Sequence, residues 1–243
     1  MIQTQPTRRA RDRVPWVLMY HSVAHTNEDP HRITVSPARF MRQMRWLASR
    51  GLRGVSIREL RAAEEKGEAG GLVGLTFDDG YADFAVRAVP TLLRFQFTAT
   101  VFVVAECIGS HNVWDDGPRK PLMTANQLRQ VRGVGMEVAS HGLRHVSLPD
   151  VDDDELSIEL TRSRALLEDI LDEPVTGFAY PYGHAGRREI EAVRAAGYEY
   201  ACAIWPDEPQ DHALARAYIG QRDGALRMHA KLWQHRLRWR TRV

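Results

Sequence analysis

Four apolar runs in this chain end in polar residues that could do chemistry. LVGLTF, residues 72–77, leads into Asp78-Asp79-Gly80. GMEVAS, residues 135–140, leads into His141-Gly142-Leu143-Arg144-His145. WVLMY leads into His21, and TGFAY into Pro181-Tyr182-Gly183-His184. One carboxylate and two imidazoles at H-x3-H spacing give a divalent cation three ligands and leave positions open for water and substrate. A second, adjacent carboxylate can take a proton from the attacking water, and a further histidine can protonate a departing amine. Backbone N–H groups at a tight turn can hold a developing oxyanion. The set as a whole serves metal-assisted hydrolysis.

Each piece also has an ordinary reading. Asp-Asp-Gly and Pro-Tyr-Gly are turn signals. H-x3-H recurs by chance, and a lone histidine after an apolar run is more often packed than catalytic. What sets these residues apart is that each group closes a different run. In a parallel α/β fold all such ends lie on one face, where these folds place their chemistry.

The pattern that must position them alternates short apolar runs with helical stretches. WVLMY, LRGV, LVGLTF, TATVFVV, GMEVAS, TGFAY and YEYACAIW read as strands. Between them, Ser36-Pro37 starts a helix that stops at Gly51. Ser56 and Glu59 form an S-x-x-E capping pattern. ADFAVRAVPTLLRF is a helix bent near Pro90. Thr124 caps a further helix, DVDDDE opens a long one, and GRREIEAVRAAG is another. After Trp205 the pattern weakens. About seven strands and no phosphate-binding glycine loop point to an α/β barrel, incomplete or distorted, rather than an open dinucleotide-binding sheet. Residues 106–123 form the longest irregular stretch and hold Trp114, a feature of functional loops.

The 243 residues carry a formal net charge of +2, so no global field argues for nucleic acid. Cys107 and Cys202 match no metal spacing and read as free thiols. Residues 1–15 read as a basic disordered arm and 16–243 as a single domain. No apolar stretch follows Arg8-Arg9 that would make a secretory signal, and a cytoplasmic location is the expectation. The tail KLWQHRLRWRTRV interleaves tryptophan and leucine with lysine and arginine. It reads either as a terminal helix with one packed face or as one in weak contact with an anionic membrane surface.

Taken together, Thr76-Phe77-Asp78-Asp79-Gly80, Ser140-His141-Gly142-Leu143-Arg144-His145 and Phe178-Ala179-Tyr180-Pro181-Tyr182-Gly183 resemble the three leading motifs of the polysaccharide deacetylases, the NodB-homology domain of carbohydrate esterase family 4. The resemblance spans roughly residues 16–219 and implies a distorted (β/α)7 barrel with metal-dependent N-deacetylase activity on N-acetylated sugars. It implies Asp78 as base and Asp79, His141 and His145 as ligands of one divalent ion, zinc first, with cobalt or nickel able to replace it. It implies the Tyr182 N–H as oxyanion donor. Pro181, Tyr182 and Trp114 are expected against substrate, with Trp205 as a further aromatic.

Two positions depart from the family. Ala179 stands where an arginine usually pairs with the base, so another arginine, Arg222 for example, would have to replace it. The late histidine that usually acts as general acid is not recognisable. In a branch resembling the poly-N-acetylglucosamine deacetylases the first strand carries it, which makes His21 the acid, with His184 and His212 as rivals. The alternatives to a deacetylase are a carbohydrate-binding barrel impaired by the lost arginine and a non-haem iron oxygenase, which also uses two histidines and a carboxylate.

Overall fold

The computed structural model describes residues 14–204, 206 and 208–240. Trp205 and most of the expected arm lie outside the described residues. β1 (Val17–Tyr20) pairs in parallel with both β5 (Leu72–Phe77) and β10 (Leu214–Tyr218). From β5 the parallel pairing continues through β6 (Thr100–Val103), β7 (Glu137–Ser140), β8 (Gly177–Ala179) and β9 (Tyr200–Ile204) back to β10. These strands close a seven-stranded barrel, as the resemblance implies.

The staves are not quite the seven runs expected. LRGV forms β4 (Arg53–Val55), which lies outside the ring and pairs with the first half of β5. The seventh stave is β10, LARAY, where the apolar pattern had weakened. Two short strands, β2 (Ser22–Val23) and β3 (Thr34–Val35), pair with each other beside the barrel.

Helices clothe the outside, and their ends follow side-chain capping. Ser36 accepts from the Arg39 N–H to start α1 (Pro37–Ala48). Ser56 likewise accepts from Glu59 N–H at α2 (Ile57–Lys66), but Glu59 does not return the bond. Its carboxylate takes the Thr98 hydroxyl and pairs with Arg53 instead. The bend near Pro90 is a wide π-type turn over Phe84–Ala88 that passes into α3 (Val89–Arg94). A full capping box of Thr124 and Gln127 opens α4 (Ala125–Gly133), and Asp152 caps α5 (Asp153–Leu171). α6 (Arg187–Ala195) and α7 (Ala225–Arg240) complete the coat.

Period-two alternation decides what faces the barrel axis. Val17, Phe102, Ala139, Ala179, Tyr200, Cys202 and Leu214 form an inner cluster distinct from the larger layer between strands and helices. At the amino end of the barrel, buried Glu137 accepts from the Thr100 and Tyr200 hydroxyls and from the Arg58 N–H. At the other end, the next inward positions after Ala139 on β7, Met19 on β1 and Thr76 on β5 are His141, His21 and Asp78. The two cysteines are free, Cys202 buried and Cys107 half-buried.

Candidate active site

Asp78, Asp79, His141 and His145 converge at the carboxyl end of the barrel, and all four are buried. The Asp78 N–H donates to the Tyr20 carbonyl at 3.0 Å, so β1 fixes the start of this turn beside His21. Asp79, His145 and Tyr182 all have φ between 59° and 71°. They are three of the six non-glycine residues with positive φ among the described residues. Backbone strain concentrated in this way marks functional sites.

Asp79 Oδ1 lies 3.5 Å from His141 Nε2 and 3.4 Å from His145 Nε2. One donor atom from each residue falls within 4.8 Å of the others. His141 Nδ1 sits 2.8 Å from the Ala179 carbonyl, which can only accept, so Nδ1 carries the proton. Its Nε2 therefore offers a lone pair to the cluster, the arrangement found in metal-ligating histidines. Burial, the largest influence, lowers His141 to about 4, so the ring is neutral at neutral pH. Burial alone would raise the Asp79 carboxyl. The hydrogen bond and charge of His145, with His21 and His141 behind it, carry it far below the ordinary range. Three lone-pair atoms aimed at one point call for a proton or a cation between them, and this donor set fits a divalent ion.

Asp78 takes no part in that cluster. Its two oxygens accept from Arg216 Nη1 at 2.6 Å and Nη2 at 2.9 Å. Arg216 lies inside the barrel on β10, 1% exposed, with Nη1 also 3.3 Å from Thr76 Oγ1. Burial pushes the Asp78 carboxyl up, but Arg216, His141 and His21 together hold it below its ordinary value. The arginine absent at position 179 is thus supplied by Arg216 and not by Arg222, which is exposed and lies beyond β10. Sequence reasoning missed Arg216 because it interrupts the strand that carries it. What stays at position 179 is the carbonyl that orients His141.

The remaining expected residues fall into two groups. His21 is half-buried with Nδ1 enclosed and without a hydrogen-bond partner, and its charge bears on both carboxylates. Trp114 stacks on the His145 ring at 4.6 Å and 23°, while Tyr182 meets the same ring edge-on at 4.8 Å. The Tyr182 hydroxyl donates to Asp115 Oδ1 at 3.3 Å, joining the irregular loop to the Pro181–Gly183 turn. Pro181 is buried.

The two rival acids are not brought here. His184 is exposed. His212 precedes β10 at the amino end of the barrel, its Nε2 on the Tyr198 carbonyl at 2.9 Å. A second unforeseen residue is Glu159 of α5, fully buried. It accepts from the Leu143 and Arg144 N–H groups and from Arg144 Nε, at 2.8, 3.0 and 2.7 Å, and so fixes the loop between the two histidines.

The chain is similar in sequence and fold to known deacetylases. YxkH of Bacillus subtilis (strain 168) is 26% identical over 192 residues, covering 78% of this chain and 64% of that protein. A Staphylococcus aureus poly-beta-1,6-N-acetyl-D-glucosamine N-deacetylase is 23% identical over 215 residues, covering 82% of this chain and 72% of that protein. The Streptococcus pyogenes deacetylase PplD, solved with acetate, superposes with a TM-score of 0.75 at 22% identity, covering 89% of this chain and 96% of that one. The sequence profile of the polysaccharide deacetylases matches residues 65–201, more than half the chain. The protein belongs to the polysaccharide deacetylase family.

Proposed function

We propose that the chain hydrolyses the N-acetyl group of N-acetylhexosamine units in a glycan or glycoconjugate, releasing acetate and a free amine. The observation that carries this reading is an arginine-paired carboxylate, Asp78, directly beside the three convergent donors of Asp79, His141 and His145. The S. aureus relative, whose name specifies an N-deacetylase, supports an amide as the bond cleaved.

Asp79, His141 and His145 would hold the divalent ion, zinc first, which supplies Lewis-acid polarisation and acidifies bound water. Arg216 keeps Asp78 ionised, so Asp78 is ready to accept the proton of the water whose oxygen adds to the acetamide carbon. The Tyr182 N–H stabilises the resulting oxyanion. His21, as imidazolium, gives its proton to the nitrogen as the C–N bond breaks. Trp114 and Tyr182 brace His145 from two sides and, with Pro181, form the wall against which the acetyl group and sugar would rest.

The impaired-barrel alternative rested on the arginine missing from position 179, and Arg216 removes that motive. An iron oxygenase would leave the Asp78–Arg216 pair without a task. The test is deacetylation of N-acetylglucosamine oligomers by the wild type and Asp78→Asn. We expect activity in the former and a loss of about 10²-fold or more in the latter, as for a removed general base, with metal content unchanged. A fully active Asp78→Asn removes Asp78 from the mechanism, and an inactive wild type with metal bound removes the reading.

A further inference from the structure

α7 turns an apolar stripe to solvent. Leu226 is 89% exposed and Trp233 59%, with Leu237 exposed as well. With exposed Ala230 these positions recur at spacings of four, three and four, one face of a helix. The opposite face, with Met228 and Leu232, is buried against the body of the barrel. Single exposed apolar side chains are ordinary, but a continuous row on one helix marks an interaction surface.

The charge around that row is one-sided. From Gly224 to the end of the chain there are six lysines and arginines and no acid, in a chain whose formal net charge is only +2. Exposed Arg227 and Arg236 flank the stripe on either side. At the start of α7 a groove of about 640 Å³ is lined by Arg32, Arg222, Arg227 and Lys231 together with Asp29 and Asp223, a surplus of two cations. Lys231 is taken by Asp223 at 2.8 Å, whereas Arg222 and Arg227 form no ion pair among the described residues. Further along, His235 Nε2 meets the Val14 carbonyl at 2.9 Å. In the sequence, Val14 follows residues 1–13, which hold Arg8, Arg9, Arg11 and Arg13.

We propose that this face of α7 docks the protein on an anionic lipid bilayer. An apolar row between cations, with a tryptophan in it, is the pattern of a helix lying in the headgroup region. Acidic lipids attract such cations over a Debye length. A nucleic acid or acidic glycan would engage the arginines and stack on Trp233, but would give Leu226 and Leu237 no apolar surface to bury against. A second copy through the stripe would bring two cationic helices together. The reactive groups lie at the carboxyl end of the barrel and α7 on its flank, so docking leaves the mouth of the site open.

The test is flotation of the full chain with vesicles of phosphatidylcholine alone and of phosphatidylcholine with phosphatidylglycerol. Binding should require the anionic lipid and weaken with added salt. Leu226→Asp and Trp233→Asp should each lower the partition coefficient by about tenfold or more, the scale expected for one large apolar side chain. Melting temperature and deacetylation of soluble oligomers should not change in either variant. Absence of binding to the anionic vesicles at low salt overturns the proposal. So does undiminished binding by both variants, which would mean adsorption through charge alone. A lipid-free dimer abolished by Leu226→Asp would assign the stripe to self-association and overturn it equally.

Discussion

In Arg216 the structural cost and the proposed chemical role come from the same buried ion pair with Asp78. A guanidinium enclosed in a barrel must face a carboxylate, and truncating one partner of such a pair costs about 3–5 kcal/mol. Arg216→Ala should therefore be severely destabilised, and Arg216→Lys is the informative change. A single ammonium cannot bond both Asp78 oxygens as the guanidinium fork does. The carboxyl should then rise toward its ordinary value, and the acid limb of the pH–rate profile should move to higher pH while metal content holds. An acid limb that stays in place would show that Arg216 does not set Asp78. His21 can be tested in the same assay. His21→Ala should lower turnover by ~10²–10⁴-fold, the usual worth of a general acid, and move the alkaline limb. A merely packed histidine would instead change the melting temperature and leave the rate per folded molecule intact. At this scale the three convergent donors of Asp79, His141 and His145 were legible because they sit in two short contiguous motifs. The partner of Asp78 was not, since Arg216 stands far along the chain on another strand and only three dimensions bring the two together.

At the scale of elements, the strands that could be read were those whose apolar runs are interrupted by charge only near their start, if at all. β10 escaped because Arg216 sits in the middle of its five residues, so the pattern failed at the residue that the site uses. LRGV was legible as a strand but not as one outside the ring, because apolar content does not say which edges of β5 are occupied. Helix starts were legible from Ser36, Thr124 and the acidic run at 150–155, within which Asp152 proves to be the cap. Glu159 was not, because an acid on a long helix reads as solvated until the helix is seen to turn it inward. Its carboxylate gathers three donors from the loop that carries His145. Glu159→Gln keeps one oxygen and replaces the other acceptor with a donor that faces donors. Leaving such groups unsatisfied costs about 1–3 kcal/mol. We expect a stability loss of that size by urea unfolding, together with weaker zinc binding by titration. Unchanged zinc affinity would mean that the loop holds His145 without Glu159.

For the whole molecule, the buried cluster ties stability to pH. His141 is lowered to about 4, whereas in the unfolded chain its ordinary value is 6.5. Between these values the unfolded state binds more protons than the folded one, so stability rises with pH and is lost as pH falls. The loss should begin near pH 6.5 and level off near 4, reaching on the order of 3 kcal/mol for this ring. Asp78 and Asp79, both held below the ordinary carboxylate range, extend the decline further, since their contribution disappears as pH falls through their folded values. A bound metal steepens the dependence, because protons compete for the same imidazoles and a ligand that binds only the folded state stabilises it by mass action. Urea unfolding in the presence of a chelator at several pH values between 7.5 and 4 measures the first part, and repeating it with zinc measures the second. His141→Asn, which cannot titrate in this window, should flatten the chelated curve above pH 4. A wild-type protein whose metal-free stability is constant from pH 7 to 4.5 would show that His141 accepts its proton without cost in the folded state. The neutral, Ala179-oriented ring on which the metal assignment depends would then be wrong.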